Sequence, residues 1–275
     1  MSERIRVTIE DGVAHVLLNR PEKKNALDAD MFEGLRKAAR DLGANPSVRV
    51  VVLSGAGDSF CSGIDLSNFG AMASGELSEE SESVKAAIAD KSRDGANQAQ
   101  QLAWLWQELP VPVIAAMTGV AYGGGLHVAL GADFRIVSPD ARLAFVEISW
   151  GLVPDMSGTQ AMRHLIPLDL AKKIVFTGET LSGTQAVGLD LATETSEEPL
   201  EAAFALARTI AERSPDAIRA AKKLLNSSRW VPLADGLANE MAASGALMGT
   251  RNQIEAVMSK LERRAARFED PSASA

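Results

Sequence analysis

The 275-residue chain has a single cysteine, Cys61, so no internal disulfide can form and a reducing compartment is the setting that fits. With only three histidines beside it, no Cys/His cluster at metal-ligand spacing exists, and no metal is expected. Positive charge is also short: 28 Lys and Arg against 36 Asp and Glu leave a net charge of −8. That balance lacks the broad basic surface nucleic acid requires, although a local basic spot for a phosphorylated ligand is still allowed. No apolar run reaches the roughly 18 residues that a membrane-crossing helix needs. Met1-Ser-Glu-Arg-Ile-Arg6 has no apolar leader. The expectation is a cytoplasmic protein with neither a membrane nor a nucleic acid as partner.

With 46% apolar and 23% charged residues, the chain reads as an ordinary globular protein long enough to bury a full core. It is organised around Gly119–Asp133, where the strand-like run Val111–Met117 leads into Gly123-Gly-Gly125 and an apolar helix-like stretch, Leu126–Leu130, leads out. Glycine allows close backbone approach, and the first turn of a helix offers free N–H groups and a positive dipole end. Such a place suits an anion, or an oxygen that becomes one during a reaction. A tight turn with no further role accounts for three glycines equally well. The run has neither the spacing of a dinucleotide fingerprint nor the lysine of a phosphate loop.

Elsewhere, residues 4–19 alternate around Asp11-Gly12 and predict a β-hairpin with His15 as a structural residue of its second strand. Arg20-Pro21 stops that strand, and a loop with Lys23 and Lys24 precedes a helix over 28–42 that Asp28 caps. Val48–Ser54 is a continuous apolar strand, followed by the glycine-punctuated loop 55–66. Residues 67–98 are polar and predict a mobile, acidic excursion. An amphipathic helix with Trp104 and Trp106 leads to Pro110, and two further strands span 134–138 and 142–146. From Leu168 onward the pattern is helical over 168–176, 182–187, 199–213, 215–227 and 233–266, the last broken near 245–249. The fold class is therefore α/β, with the sheet in the N-terminal two-thirds.

Three loops, 55–66, 119–127 and 147–158, each follow a strand, and loops at the C-terminal ends of strands converge in such folds. Two of them offer backbone N–H groups; the third offers two carboxylates, Glu147 and Asp155. Convergent amides stabilise an oxyanion by roughly 10²–10³ in rate per donor. A carboxylate beside them moves a proton, which makes the set suitable for enolate chemistry next to a carbonyl. Cys61 has no base at matching spacing and is not expected to be a nucleophile, and His164 is a surface or packing residue.

The chain resembles the crotonase, or enoyl-CoA hydratase/isomerase, superfamily. The resemblance rests on Asn19-Arg-Pro-Glu-Lys-Lys-Asn-Ala-Leu27, Phe60-Cys-Ser-Gly-Ile-Asp-Leu66, Gly119-Val-Ala-Tyr-Gly-Gly-Gly125, Ala132-Asp-Phe-Arg-Ile136, Phe145-Val-Glu147 and Gly151–Thr159. It runs on through Phe176-Thr-Gly178, Ala211-Glu-Arg-Ser-Pro215 and Arg263–Phe268, in order over nearly the whole chain. It implies a spiral of ββα turns over 1–200 and a helical oligomerisation region over 201–275 that builds trimers, or hexamers as paired trimers. It also implies an oxyanion hole from the N–H groups of Ile64 and Gly124. Coenzyme A, a part of the substrate and not a cofactor, would lie against Lys23, Lys24, Ala26, Ser62, Gly63, Asp65 and Leu66.

One position departs from the family pattern. Hydratases of this kind hold a water between two glutamates; Glu147 matches the second, and where the first is expected stands His127. Histidine can exchange a proton near neutral pH, or simply fill space. Asp155 follows Glu147 by eight positions, as an aspartate does in the family's dienoyl-CoA isomerases. A Glu147/Asp155 pair shuttles protons between carbons without activating water, so double-bond isomerisation is the first expectation. Hydration with His127 in place of the first glutamate is an alternative, as is a catalytically weak acyl-CoA-binding protein. Asp155 as a cap for the next helix is the competing structural reading.

Overall fold

The computed structural model describes residues 4–65 and 82–271. The chain begins with β1 (Ile5–Glu10), β2 (Val13–Leu18), a 3-10 turn at Pro21–Lys23, α1 (Ala29–Ala44) and β3 (Val50–Gly55). After α2 (Glu82–Ala89) and α3 (Gln98–Glu108) come β4 (Val113–Met117), β5 (Val120–Tyr122), α4 (Gly124–Leu130), β6 (Phe134–Val137) and β7 (Arg142–Ala144). A second 3-10 turn, Glu147–Trp150, leads to α5 (Gly158–Met162), α6 (Leu168–Thr177), β8 (Leu181–Ser182), α7 (Gly183–Gly188) and β9 (Glu194–Thr195). The remainder is helical: α8 (Pro199–Ala211), α9 (Pro215–Ser228), α10 (Leu233–Leu247) and α11 (Arg251–Leu261).

The β1–β2 hairpin is antiparallel, with Glu10 facing Val13 across Asp11-Gly12, both of which have positive φ (49° and 78°) as a tight hairpin turn demands. From β2 onward the main sheet is parallel, in the order β1-β2-β3-β4-β6-β9. Its middle strands are apolar throughout because both faces are covered. One face packs on α1 and α3 through Leu35, Leu42, Leu102 and the fully buried Trp106. The other is sealed by α8, where Ala203, Ala207 and Ala211, one turn apart, let the helix lie close to Val50, Val52, Ile114 and Ile136. The 200/201 division drawn from the sequence falls just inside this helix. A smaller sheet, β5-β7-β8, branches off after Thr118-Gly119, and the chain turns there from β4 into β5 and at once into α4.

Residues 66–81 lie outside the described residues, and with them much of the expected acidic excursion. Residues 82–98 are corrected by the structure: α2 forms within them, and Asp90 accepts hydrogen bonds from Arg36 (2.6 Å) and Gln98 (3.0 Å). Arg36 and Arg40 (3.6 Å), both on α1, and the Gln98 amide thus converge on Asp90 and tie that segment down despite its polar composition. The helical break expected near 245–249 appears between α10 and α11. Behind the sheet, α9 is clamped by Lys222, whose buried Nζ donates to Trp106 O (3.1 Å), Val111 O (2.9 Å) and Asp133 Oδ2 (2.7 Å). Burial pushes this lysine's pKa down, and Asp133 opposes the push.

Candidate active site

The segment 60–65 is held from two sides. Toward the small sheet, Phe60 N donates to Thr118 O (2.9 Å), Cys61 N to Val120 O (3.0 Å), and Tyr122 N to Cys61 O (3.0 Å). Toward the loop after the hairpin, Ser62 N donates to Lys24 O (2.9 Å), Leu27 N to Gly63 O (2.8 Å) and Asp65 N to Leu27 O (3.0 Å). In this parallel bridge Leu27 occupies the peptides on either side of Ile64, so the N–H of Ile64 itself points away from Leu27 and donates to no described backbone carbonyl. Gly124, first residue of α4, likewise has a backbone N–H without an intrahelical partner.

Contacts at two glycines show how closely these peptides approach. A Cβ built on Gly63, which has φ +92°, would sit 2.8 Å from Tyr122 O and 3.8 Å from Gly124 N. A Cβ on Gly125 would sit 2.5 Å from Cys61 O, a backbone atom that cannot swing aside. Only a chain lacking side chains at both positions lets the start of α4 lie against the 61–64 peptides. Among the described residues, then, neither the Ile64 nor the Gly124 N–H has a backbone partner, and the peptides around Gly63 lie against the start of α4.

Titratable side chains lie close by. Oε1 of Glu147, first residue of the second 3-10 turn, lies 3.2 Å from where a Cβ on Gly123 would be, and Oε2 is buried without a hydrogen-bond partner. Completely buried on α4, His127 has Nε2 3.2 Å from Glu147 Oε1, and its ring centroid is 5.5 Å from that of Phe145. The angles at that contact are not those of a hydrogen bond, and both ring nitrogens are unpaired. Asp155 is solvent-exposed as a residue, yet the protein around its carboxyl is enough to raise its pKa; Glu147's charge adds to the rise and His127 opposes it. Its side chain does not cap α5, whose N-cap Ser157 is left-handed and has no side-chain cap bond. Glu147 and His127 are therefore in contact, and Asp155 is close enough to feel the charge of both.

The residues assigned to coenzyme A fall on the facing loop. Lys23 and Lys24 are exposed and, among the described residues, neither ion-pairs with a carboxylate. Ala26 is buried, Ser62 Oγ donates to Lys23 O (3.2 Å), and Asp65 is ion-paired to Arg20. Leu66 lies outside the described residues. Arg20 and Asn25, which carried no expected role at the site, also belong to this loop. Asn25, fully buried at φ 56°, accepts from Arg20 N (2.8 Å) and donates to Ala56 O (3.0 Å) and Ser59 O (2.8 Å). An asparagine between Lys24 and Ala26 carried the available signal, since asparagine tolerates the left-handed region.

Several side chains are structural. The Cys61 thiol donates to Asn25 O (3.1 Å), and burial pushes its pKa up to about 12, which suits no nucleophile. His15 pairs with Ser54 Oγ at 2.7 Å and stacks edge-on against Phe204, and His164 meets Trp230 edge-on at 4.9 Å. A cleft of about 440 Å³ bounded by Thr8, Glu10, His15, Phe204 and Arg208 contains none of the residues around the amides. Among the described residues no group of three potential ligands could hold a metal, and no helix is long and apolar enough to cross a membrane.

The chain is similar to known proteins over nearly its whole length. Residues 8–271 match the family model described as enoyl-CoA hydratase/isomerase. The mitochondrial methylglutaconyl-CoA hydratase of Mus musculus is 31% identical over 264 residues, 94% of this chain and 79% of that one. The (E)-benzylidenesuccinyl-CoA hydratase of Thauera aromatica is 31% identical over 267 residues, 96% and 98% of the two chains. Among solved structures, the enoyl-CoA hydratase of Bacillus anthracis superposes with a TM-score of 0.86 at 29% identity, covering 98% of this chain and all of its own.

Proposed function

From the premise that the chain belongs to the enoyl-CoA hydratase/isomerase family of the crotonase superfamily, and so to enzymes of the lyase and isomerase type, we propose that it shifts a double bond within an unsaturated acyl-CoA thioester. The thioester oxygen accepts hydrogen bonds from the N–H groups of Ile64 and Gly124. Their dipoles lower the cost of negative charge as a proton leaves the carbon beside the carbonyl. Glu147 takes that proton and returns it at another carbon, so the bond moves and water is neither consumed nor released. Where the receiving carbon lies beyond Glu147, as in a 3,5-dienoyl thioester, Asp155, its pKa raised chiefly by burial, gives the proton there and regains one from Glu147 after the bond has moved.

The observation that carries this reading is that, among the described residues, the Ile64 and Gly124 N–H groups and Glu147 Oε2 have no partner, with the Glu147 carboxylate against Gly123 next to Gly124, while the residue standing where a second glutamate is expected, His127, is wholly buried. A second reading, hydration of a 2-enoyl thioester, is favoured by the 3.2 Å contact of His127 with Glu147 and by the hydratase names of the relatives. A protein that binds acyl-CoA with little turnover is the third. Purified protein given a 3-enoyl, a 3,5-dienoyl and a 2-enoyl thioester of coenzyme A separates them: double-bond migration supports the first, hydration alone the second, tight binding without turnover the third.

On this reading no cofactor is needed beyond the coenzyme A that the substrate carries, held by Lys23, Lys24, Ala26, Ser62, Gly63, Asp65 and Leu66. Ile148, Leu152 and Val153, exposed just after Glu147, suit an apolar acyl group. The stripe Leu233, Leu237, Met241 on α10, spaced by four and more than half exposed, supports assembly into trimers or hexamers of this chain. The lone, buried Cys61 supports a reducing, cytoplasmic setting, although the murine relative is named mitochondrial.

A further inference from the structure

Arg20 leaves the hairpin far from either amide in sequence, yet its guanidinium grips both strands of the bridge that fixes Ile64. Nη1 donates to Ala26 O (3.2 Å), immediately before Leu27, and to the carboxylate of Asp65, immediately after Ile64. Both side chains are close to nine-tenths buried, 12% and 11% exposed, so the pair is poorly screened and its geometry is restrictive. On its far side Arg20 Nε approaches Asp28 Oδ2 (3.5 Å), which also binds Arg4 Nη2 (2.9 Å) while Oδ1 caps α1 through Met31 N (2.9 Å). Charges of alternating sign, Arg4, Asp28, Arg20 and Asp65, therefore run from the start of the sheet to the residue next to the amide. Asn25 fixes Arg20 from behind by accepting its backbone N–H.

We propose that Arg20, held by Asp65, is a positioning residue for the reaction: through Ala26 O and the Leu27 N–H it sets the direction of the Ile64 N–H, and so the strength of one half of the oxyanion hole. The physical reason is leverage. A peptide plane pivots about its flanking α-carbons, and Gly63 on one side has no side chain to resist rotation. The Ile64 N–H shares its peptide with Gly63 O, which accepts from Leu27 N (2.8 Å), and the Leu27 N–H shares its peptide with Ala26 O, which Arg20 Nη1 holds at 3.2 Å while pairing with Asp65. Misdirecting a donor by a fraction of an ångström loses stabilisation of the charged intermediate more than of the neutral substrate. The inference rests on the reading of Ile64 and Gly124 as oxyanion donors.

The test compares wild-type protein, Asp65→Asn and Arg20→Lys. Each is titrated with a para-dimethylamino-cinnamoyl thioester of coenzyme A, whose absorption moves to the red when its carbonyl oxygen accepts strong hydrogen bonds, and turnover is followed on the substrate the wild type uses. Asp65→Asn is expected to lose most of the red shift and about 10–100-fold in kcat, with KM within about 3-fold. Arg20→Lys, which keeps the charge but not the fork, is expected to fall between. If Asp65→Asn is insoluble, the intermediate loss in Arg20→Lys decides alone. Soluble variants that keep the full shift and kcat overturn the inference, as does weaker binding with an unchanged shift, which would mark a merely structural pair. A wild-type protein showing neither shift nor turnover overturns the reading of the site, and the inference with it.

Discussion

His127 places Nε2 3.2 Å from Oε1 of Glu147 while remaining completely buried and without a hydrogen bond at either ring nitrogen. Beside the ring stands Gly158, where a Cβ would lie 2.8 Å from Cδ2 and Nε2, so the imidazole has its place only because that residue lacks a side chain. One oxygen of Glu147 is thereby turned toward histidine and the other left unpaired.

That division of labour predicts unequal losses. Glu147→Gln should lower kcat about 10²–10⁴-fold while a saturated acyl-CoA still binds. His127→Asn should lower double-bond migration less than about 10-fold, because the ring orients and does not carry the proton. Steady-state kinetics on 3-enoyl and 2-enoyl thioesters reads both variants. Unchanged turnover in Glu147→Gln removes that residue from its role, and a selective loss of hydration in His127→Asn transfers the weight to the hydratase reading.

Two glycines should respond oppositely to a methyl group. Gly125→Ala drives a Cβ to 2.5 Å from Cys61 O and must push α4 away from the 61–64 peptides, so kcat should fall about 10–100-fold along with the melting temperature. Gly188→Ala, at the end of α7 with nothing within 4 Å, should be neutral or stabilising by about 0.5 kcal/mol. Thermal melts and turnover on both variants check the contrast.

The raised pKa of Asp155 has a defined sign for stability. In the window above the ordinary carboxylate value the folded protein holds a proton that the unfolded chain has lost, so this group's contribution to stability falls as pH rises through that window. Asp155→Asn should therefore be more stable than wild type at neutral pH, with the gap closing below the ordinary carboxylate pKa. Urea midpoints from acid to neutral pH measure it, and a gap that widens in acid refutes the assignment.

Lys222→Ala should cost about 3 kcal/mol, since it strips donors from Trp106 O and Val111 O and leaves Asp133 without its cation. Chemical denaturation gives the value. A loss under about 1 kcal/mol would show that α9 is held by packing and not by this clamp.

Assembly has its own test. Leu237→Asp with Met241→Asp puts two charges on the exposed stripe of α10 and should reduce the mass seen by light scattering to that of one chain. The same mass in wild type and variant would place the contact elsewhere.

Local chemistry made much of the fold legible. The hairpin followed from Asp11-Gly12 between alternating runs, the α1 cap from Asp28, and the doubly covered β3 from Val50–Leu53, each a property of a few adjacent residues. The glycines of 123–125 announced a close backbone approach without saying to what. Polar composition misled at 82–98, because Arg36, the partner that orders Asp90, comes from α1.

By itself, then, the sequence determined the α/β class, the order of the elements and the residue types available for proton transfer, since periodicity, turn chemistry and side-chain chemistry act within a few residues. Only the tertiary structure decided which groups meet. Arg20 and Asp65 are separated by 45 positions and Lys222 and Asp133 by 89, and whether such charges pair depends on how strands and helices stack. The burial of His127 against Glu147, and the close approach of the 61–64 peptides to the start of α4, were settled in the same way, by packing across elements that share no local pattern.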